Sequence, residues 1–234
     1  MAARHTLSER RWPETPEFNA ALRRLKAGSS IRLLELVWKG YDALCAEVVS
    51  QVDCSQEDEH LEISITQLLE PEIHDAMTGR EPFLVQHSPC EYETRRGSPG
   101  QPPQYDMAFV LRSNRRVMWP LEAKVLRTDG RVAEYVKEVN SNYLTCRYSP
   151  FSSEAAMLGY LIKGEPESAF YNIAEKGGWK LARHGHFSHR DHRTSDHNRE
   201  VAEGKSYPIE FRCHHLVFRL QLQGSCGRQG PMLT

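Results

Sequence analysis

The sequence lacks any run of about 18 consecutive apolar residues, so no membrane-spanning helix is expected. It lacks paired cysteines: Cys45, Cys54, Cys90, Cys146, Cys213 and Cys226 are scattered with no CxxC among them, which argues against a zinc ribbon. In a reducing compartment they read as free thiols. It lacks net charge, since 30 Lys and Arg stand against 31 Asp and Glu, a formal charge of -1. That excludes coating nucleic acid by bulk electrostatics, and a nucleic-acid partner would need a local basic patch. Met1 to Arg11 hold no apolar segment of the secretory kind. A soluble, cytoplasmic protein with no membrane partner is the expectation.

What is present suits one domain with a helical appendage: 234 residues, 39% of them apolar. A short helix is expected over Pro16 to Ala27, closed by Gly28. A second is expected from Ser30 to about Val52, where Leu33, Val37, Trp38, Tyr41, Leu44 and Val48 recur at spacings of three and four. Gly40 weakens that helix slightly. A third covers Glu59 to Met77, with Pro71 expected to kink or split it. The stretch from Pro82 to Gln104 is poor in apolar residues and reads as a loop, mobile over Arg95 to Pro103. Asp106 to Leu111 and Val117 to Leu126 are two strands joined by the polar turn Arg112 to Arg116, a hairpin. Helical spacing returns over Arg131 to Tyr143. A buried strand follows at Ala155 to Ile162, a helix at Pro166 to Lys176, and one or two strands between Tyr207 and Leu222. This order predicts an α/β fold with a mixed sheet. The expected divisions are an N-terminal helical segment over 1–55, a principal domain over 56–223, and a disordered tail over 224–234.

The chemistry concentrates in the hairpin. Within Pro120-Leu-Glu-Ala-Lys-Val-Leu126, alternate residues share a face, so Leu121, Ala123 and Val125 point one way while Glu122 and Lys124 point together the other way. If Leu111 pairs with Val117 across the turn, the same register sets Asp106 opposite Glu122, with Cβ atoms roughly 5 Å apart. Two carboxylates ~4 Å apart repel by roughly 4 kcal/mol at an effective dielectric of about 20. A proton, a lysine or a divalent cation must offset that repulsion. Mg²⁺ (or Mn²⁺) takes hard oxygen ligands and retains waters, which suits a carboxylate pair. Its bound water becomes more acidic, and it stabilises charge on a phosphoryl oxygen. Lys124 stands beside it to orient water or neutralise the transition state. Glu-x-Lys alone is a weak signal, commonly a solvated surface pair worth less than about 1 kcal/mol. The preceding Asp and the surrounding order of elements add to it.

Tyr105-Asp106 and Glu122-Ala123-Lys124, in this setting, resemble the PD-(D/E)XK nuclease superfamily. The resemblance runs from about Glu59 to Ile162. It implies a restriction-endonuclease-like mixed central sheet flanked by helices, behind N-terminal helices. It also implies that Asp106 and Glu122 hold the metal with the Ala123 carbonyl, and that Lys124 handles the water. Many members add an acidic residue from the first core helix, for which Glu62 is preferred over Glu70 and Glu72. The helix after the hairpin borders the site in related folds, which places Lys137, and less readily Tyr135, near substrate phosphate. Tyr135-Val-Lys137, Tyr143, Arg147-Tyr148 and Met157-Leu-Gly-Tyr160 also look like restriction-like proteins of bacterial defence islands. There are two departures. The proline that often precedes the Asp is Tyr105 here. Pro120 lacks an N–H, so its end of the strand must be an edge, a bulge or unpaired.

Arg112, Arg115, Arg116, Arg127 and Arg131 gather around the hairpin and are candidates for the basic patch. His184 to Arg199 is the most unusual segment by composition. One reading is a phosphate-contacting loop using Arg190, Arg193 and Arg199. A second is a zinc site from His184, His186, His189 or His192 with Cys213, His214 or His215. A third is a solvated loop. The expected function is a Mg²⁺-dependent DNA endonuclease acting against foreign DNA. The alternative is a non-catalytic nucleic-acid-binding or assembly module on the same fold. The N-terminal helices are available for a homodimer or a partner protein.

Overall fold

The computed structural model describes residues 29–47, 55–91, 93 and 102–220, together with 11, 13, 15, 16 and 18. The expected helix over 16–27 and loop over 95–103 lie almost entirely outside these residues, and the tail from 224 lies wholly outside them. Helix α1 spans Ser29–Glu47 and α2 Asp58–Asp75; strands β1 (Phe83–His87), β2 (Met107–Leu111) and β3 (Met118–Leu126) follow. Helix α3 (Ala133–Glu138) runs into a π-helical turn, Val139–Tyr143. Then come β4 (Glu154–Leu161), α4 (Pro166–Gly177), β5 (Ala182–Arg183), β6 (His192–Asn198) and β7 (Glu210–Arg219).

The seven strands make one mixed sheet in the order β1-β2-β3-β4-β7-β6-β5. β1, β2 and β3 are an antiparallel meander. β4 lies parallel to β3, and β7 parallel to β4, as strands joined through intervening helices require. β6 and β5 return antiparallel. The strands alternate between two cores. On one face Leu34, Val37, Leu61, Ile65 and Leu69 of α1 and α2 meet Met107, Phe109, Trp119, Leu121, Leu158 and Phe218. On the other, Tyr135, Val139, Tyr143, Phe170 and Ile173 meet Ala108, Val110, Met118, Met157 and Val217. β3 and β4 are covered on both sides, so nearly all their residues are buried. No helix among the described residues is long and apolar enough to cross a membrane.

Three local expectations give way. The segment 82–104 is not all loop: Phe83–His87 forms β1, burying Phe83 and Val85 on alternate positions against β2. Five residues between Pro82 and Pro89 are too short a run to stand out by periodicity. α2 continues through Pro71, so the helix is not split there. Residues 192–198 are a strand rather than a loop, although all seven side chains are polar. Pairing with β7 supplies the backbone partners, and His192 and Ser195 bond His214 and His215 across the sheet, a tertiary effect that composition conceals. Pro120 fits as the chemistry demands. It pairs with Ala108 and stands one residue before the pairing of β3 with β4 begins, so its missing N–H breaks no ladder there.

Candidate active site

The site lies where β2 stops and β3 continues. Leu111 N–H bonds the Val117 carbonyl at 3.0 Å, and Met107 pairs with Leu121, so the position before Met107 places Asp106 opposite Glu122. Beyond that point no strand among the described residues lies beside the open edge of β3. Side chains take its place: Ala123 N–H donates to Asp106 Oδ2 at 2.7 Å, and Val125 N–H donates to Glu62 Oε2 at 3.2 Å. Backbone amides left in a buried place need such acceptors. Glu62 reaches the edge from the first turns of α2. Its other oxygen, Oε1, accepts from Lys124 Nζ at 2.7 Å. That ammonium also donates to the Ala123 carbonyl at 2.6 Å and stands 3.8 Å from Glu122 Oε1. Asp106, Glu122, Ala123, Lys124 and Glu62, nominated from sequence, are therefore brought together.

The electrostatics are those of crowded acid groups. Glu122 is 5% exposed, and its Oε2 is buried with no hydrogen-bond partner among the described residues. Burial, then the charge of Asp106, holds its carboxyl well above the ordinary carboxylate range against the pull of Lys124; Glu138 adds to the rise. Burial brings Glu62 up to about 7; Lys124 opposes that rise and Asp106 adds to it. Burial works against the Lys124 ammonium, yet Glu122, Asp106 and Glu62 together keep it charged and above its ordinary pKa. The lysine is a fixed cation here.

Most of the arginines nominated for substrate lie elsewhere. Arg112, Arg115 and Arg116 belong to the turn at the far end of β2, about 17 Å from Asp106 at ~3.4 Å per residue. Arg115 is exposed there. Arg116 is 1% exposed and paired with Glu93 at 2.9 Å, a core ion pair rather than a substrate contact. Arg193 is buried against Glu167 at 2.5 Å and covers the Phe170 ring. Arg190 holds Asp42 of α1 through two 2.6 Å bonds and lies over Trp38. Arg199 is fastened to the Ser149 and Pro208 carbonyls. Lys137 is exposed on α3 with Glu134 at 2.8 Å. Arg127, three residues past Lys124, bonds Asp58 at 2.5 Å and the Gln56 carbonyl.

The histidines form two buried networks on opposite faces of β6 and β7. On one, His192 Nε2 meets His214 Nδ1 at 3.2 Å and His214 Nε2 meets Glu154 at 3.4 Å. On the other, Ser195 Oγ joins His197 at 2.6 Å and His215 at 2.7 Å, and His215 meets the Tyr135 hydroxyl at 3.0 Å. Among the described residues, no three His, Cys, Asp or Glu side chains close into a metal cage, so the zinc reading gains no support.

Beside the acidic cluster stands a group given no role from sequence, although Arg147-Tyr148 belongs to the defence-island likeness. Asn142, in the π-helical turn, donates to Glu138 and accepts from Arg147 Nη1 at 2.7 Å. The Arg147 guanidinium lies 5.6 Å from the centre of the Tyr148 ring. Tyr148 feels the charges of Glu122, Glu138 and Asp106. Nothing in the spacing of these polar residues distinguishes them from a solvated helix end; the wider π turn that turns Asn142 inward is set by tertiary packing.

Comparison with protein-family models, curated proteins and solved structures finds no match to the chain.

Proposed function

We propose that the chain is a divalent-cation-dependent nuclease of the restriction-endonuclease-like kind, cleaving phosphodiester bonds of DNA, in defence against foreign DNA. The observation that carries the reading is the convergence of Asp106, Glu122, Lys124 and Glu62 on the open edge of β3, with a buried Glu122 oxygen at its centre that has no hydrogen-bond partner among the described residues. The donor set fits Mg²⁺: two carboxylates and the Ala123 carbonyl are hard oxygens, and Mg²⁺ accepts few protein ligands alongside water. Asp106, Glu122 and the Ala123 carbonyl would hold it; when bound, the cation supplies a more acidic water and stabilises charge on a phosphoryl oxygen. The mixed sheet between two helical layers, with the acidic edge on a hairpin and its helix, supports the fold assignment.

The chain's own groups divide the work. Glu122 is held rigidly in mid-strand, and Asp106 is fixed by its bond to Ala123 N–H. Lys124 remains protonated at neutral pH, so it donates hydrogen bonds and charge; it does not accept the proton of the attacking water. In that role it orients a water oxygen or neutralises the phosphorane-like transition state. Glu62 fixes the lysine's direction and at the same time anchors α2 to the sheet.

The test compares wild type with Glu122→Ala and Lys124→Ala on plasmid, linear DNA and RNA, in Mg²⁺ and in EDTA. Cleavage by wild type in Mg²⁺ alone, lost in both folded variants, is the expected result. Equal activity in all three proteins rules the site out.

A further inference from the structure

A phosphodiester approaching this site meets the carboxylates of Glu62, Asp106, Glu122 and Glu138, with Lys124 already committed among them. The chain as a whole is neutral and offers no long-range attraction. The hairpin arginines point away at the other end of β2, and Arg190 and Arg193 are bound to Asp42 and Glu167. Besides the divalent cation, a side-chain cation near the carboxylates would help to hold the phosphate.

We infer that Arg147 is the phosphate-positioning residue of this site, holding the nucleic-acid backbone in register with Asp106, Glu122 and Lys124. The inference rests on the nuclease reading above and adds how substrate is held. Asn142 ties Arg147 to Glu138 and so to the acidic cluster. Asn142 is 5% exposed; its Nδ2 gives to Glu138 and its Oδ1 receives Arg147 Nη1 at 2.7 Å. An amide used at both ends fixes the direction of the guanidinium. Glu138 and Asn142 lie four residues apart, on either side of the start of the π turn, a distortion that gathers at functional sites.

The chain around Arg147 is held as firmly. Tyr148, beneath the guanidinium, donates its N–H to the Asn142 carbonyl at 2.8 Å and its hydroxyl to the Gln104 carbonyl at 2.8 Å, two residues before Asp106. The residues bracketing the pair, Cys146 (φ 56°) and Ser149 (φ 54°), are non-glycines in the left-handed region. A third is Ser88 (φ 51°), whose N–H bonds the Asp106 carbonyl at 2.9 Å. The described non-glycine residues of positive φ thus all sit beside Asp106 or beside Arg147. Strain of this kind persists only where surroundings impose it, and it clusters at functional sites. A planar guanidinium suits the purpose, because its parallel N–H groups match two phosphate oxygens at once.

The test uses the full chain, a labelled DNA duplex and Ca²⁺ in fluorescence anisotropy across a salt series, with steady-state cleavage in Mg²⁺ and Mn²⁺ calorimetry beside it. Arg147→Ala is expected to weaken DNA binding about tenfold to a hundredfold. It should lower the slope of log affinity against log salt by about one. KM should rise more than kcat falls, and Mn²⁺ affinity should not change. Arg147→Lys, which keeps the charge without the fork, should fall between the two and carries the comparison if the alanine variant does not fold. Wild-type affinity and salt slope in the variants overturn the inference. So does loss of Mn²⁺ binding along with DNA binding, because Arg147 would then be a support for the carboxylates. A wild type that cleaves normally beside an Arg147→Ala that matches it sinks this inference alone; a wild type that neither binds nor cleaves DNA sinks the nuclease reading with it.

Discussion

Replacing Glu122 with glutamine removes a carboxyl whose ionisation burial and Asp106 both oppose. Two routes give the size of the effect. Opposed carboxylates ~4 Å apart at an effective dielectric of about 20 repel by about 4 kcal/mol. Alternatively, burial raises the folded carboxyl while the unfolded chain releases its proton near the ordinary value of 4.5, so folding takes up a proton to whatever extent the pH lies between the two. A carboxyl with its folded pKa raised contributes stability below the unfolded value and loses it as pH rises. That loss is at most about 1.4 kcal/mol per pH unit, so about 3 kcal/mol by pH 7. The new amide needs partners of its own, and a net gain of about 2 kcal/mol is expected. For a chain of this length that raises Tm by roughly 4 to 8 °C. The assay is thermal unfolding of wild type and Glu122→Gln at pH 7, in EDTA and in excess Mg²⁺. The variant should be the more stable in EDTA and should show none of the Tm rise that Mg²⁺ gives wild type by binding the folded state. A variant less stable than wild type in EDTA, or equally stabilised by Mg²⁺, refutes the picture of crowded acids relieved by a cation.

Two further predictions concern the scaffold. A Cβ on Gly40 of α1 would lie 2.6 Å from Ile73 Cγ1 and 2.9 Å from the Ile73 backbone nitrogen of α2. Gly40→Ala should therefore cost about 2 kcal/mol in urea unfolding, overpacking outweighing the ~1 kcal/mol gain in helix propensity; a gain in stability would show that the helices do not approach so closely. Burial, then the charges of His214 and His184, lowers His192 to about 2, so the folded protein keeps this imidazole neutral while the unfolded chain is protonated near 6.5. Its stability contribution is complete above 6.5 and lost as pH falls below that value, so the stability advantage of wild type over His192→Gln should shrink by about 1.4 kcal/mol per pH unit from 6.5 to 5. A constant difference across that window in urea titrations would mean that the folded imidazole is already charged.

The legible parts of the molecule were those set by local pattern. The register that opposes Asp106 to Glu122 follows from a hairpin with a polar turn, and Leu111 does pair with Val117. Glu62, preferred over Glu70 and Glu72, reaches the strand edge because it lies early in α2. What stayed hidden depends on contacts distant in sequence. Charge and position in the hairpin turn could not show that Arg116 folds inward onto Glu93, 23 residues earlier. Nor could composition show that the seven polar residues of β6 are a strand, since the partners of His192 and Ser195, His214 and His215, arrive from β7. The same holds for Arg147: its anchor, Asn142, faces inward because of a π turn that no spacing announces.

The strand lengths themselves explain why the acidic residues have these identities. β2 has five residues and β3 has nine, so β3 outruns its neighbour and leaves amides on one edge. A bare edge invites pairing with another strand. Here it is closed by carboxylates, and each has the reach its origin demands. Asp106 continues the line of β2 and is already adjacent, so a short side chain meets Ala123 N–H at 2.7 Å. Glu62 comes from a helix packed above the sheet and needs the longer one to meet Val125 N–H at 3.2 Å. The groups that cap the edge are also those that gather negative charge around Lys124 and Glu122. Exchanging the two lengths, with Glu at 106 and Asp at 62, would keep every charge yet leave Val125 N–H without its acceptor and crowd Ala123, so the site depends on reach as much as on acidity.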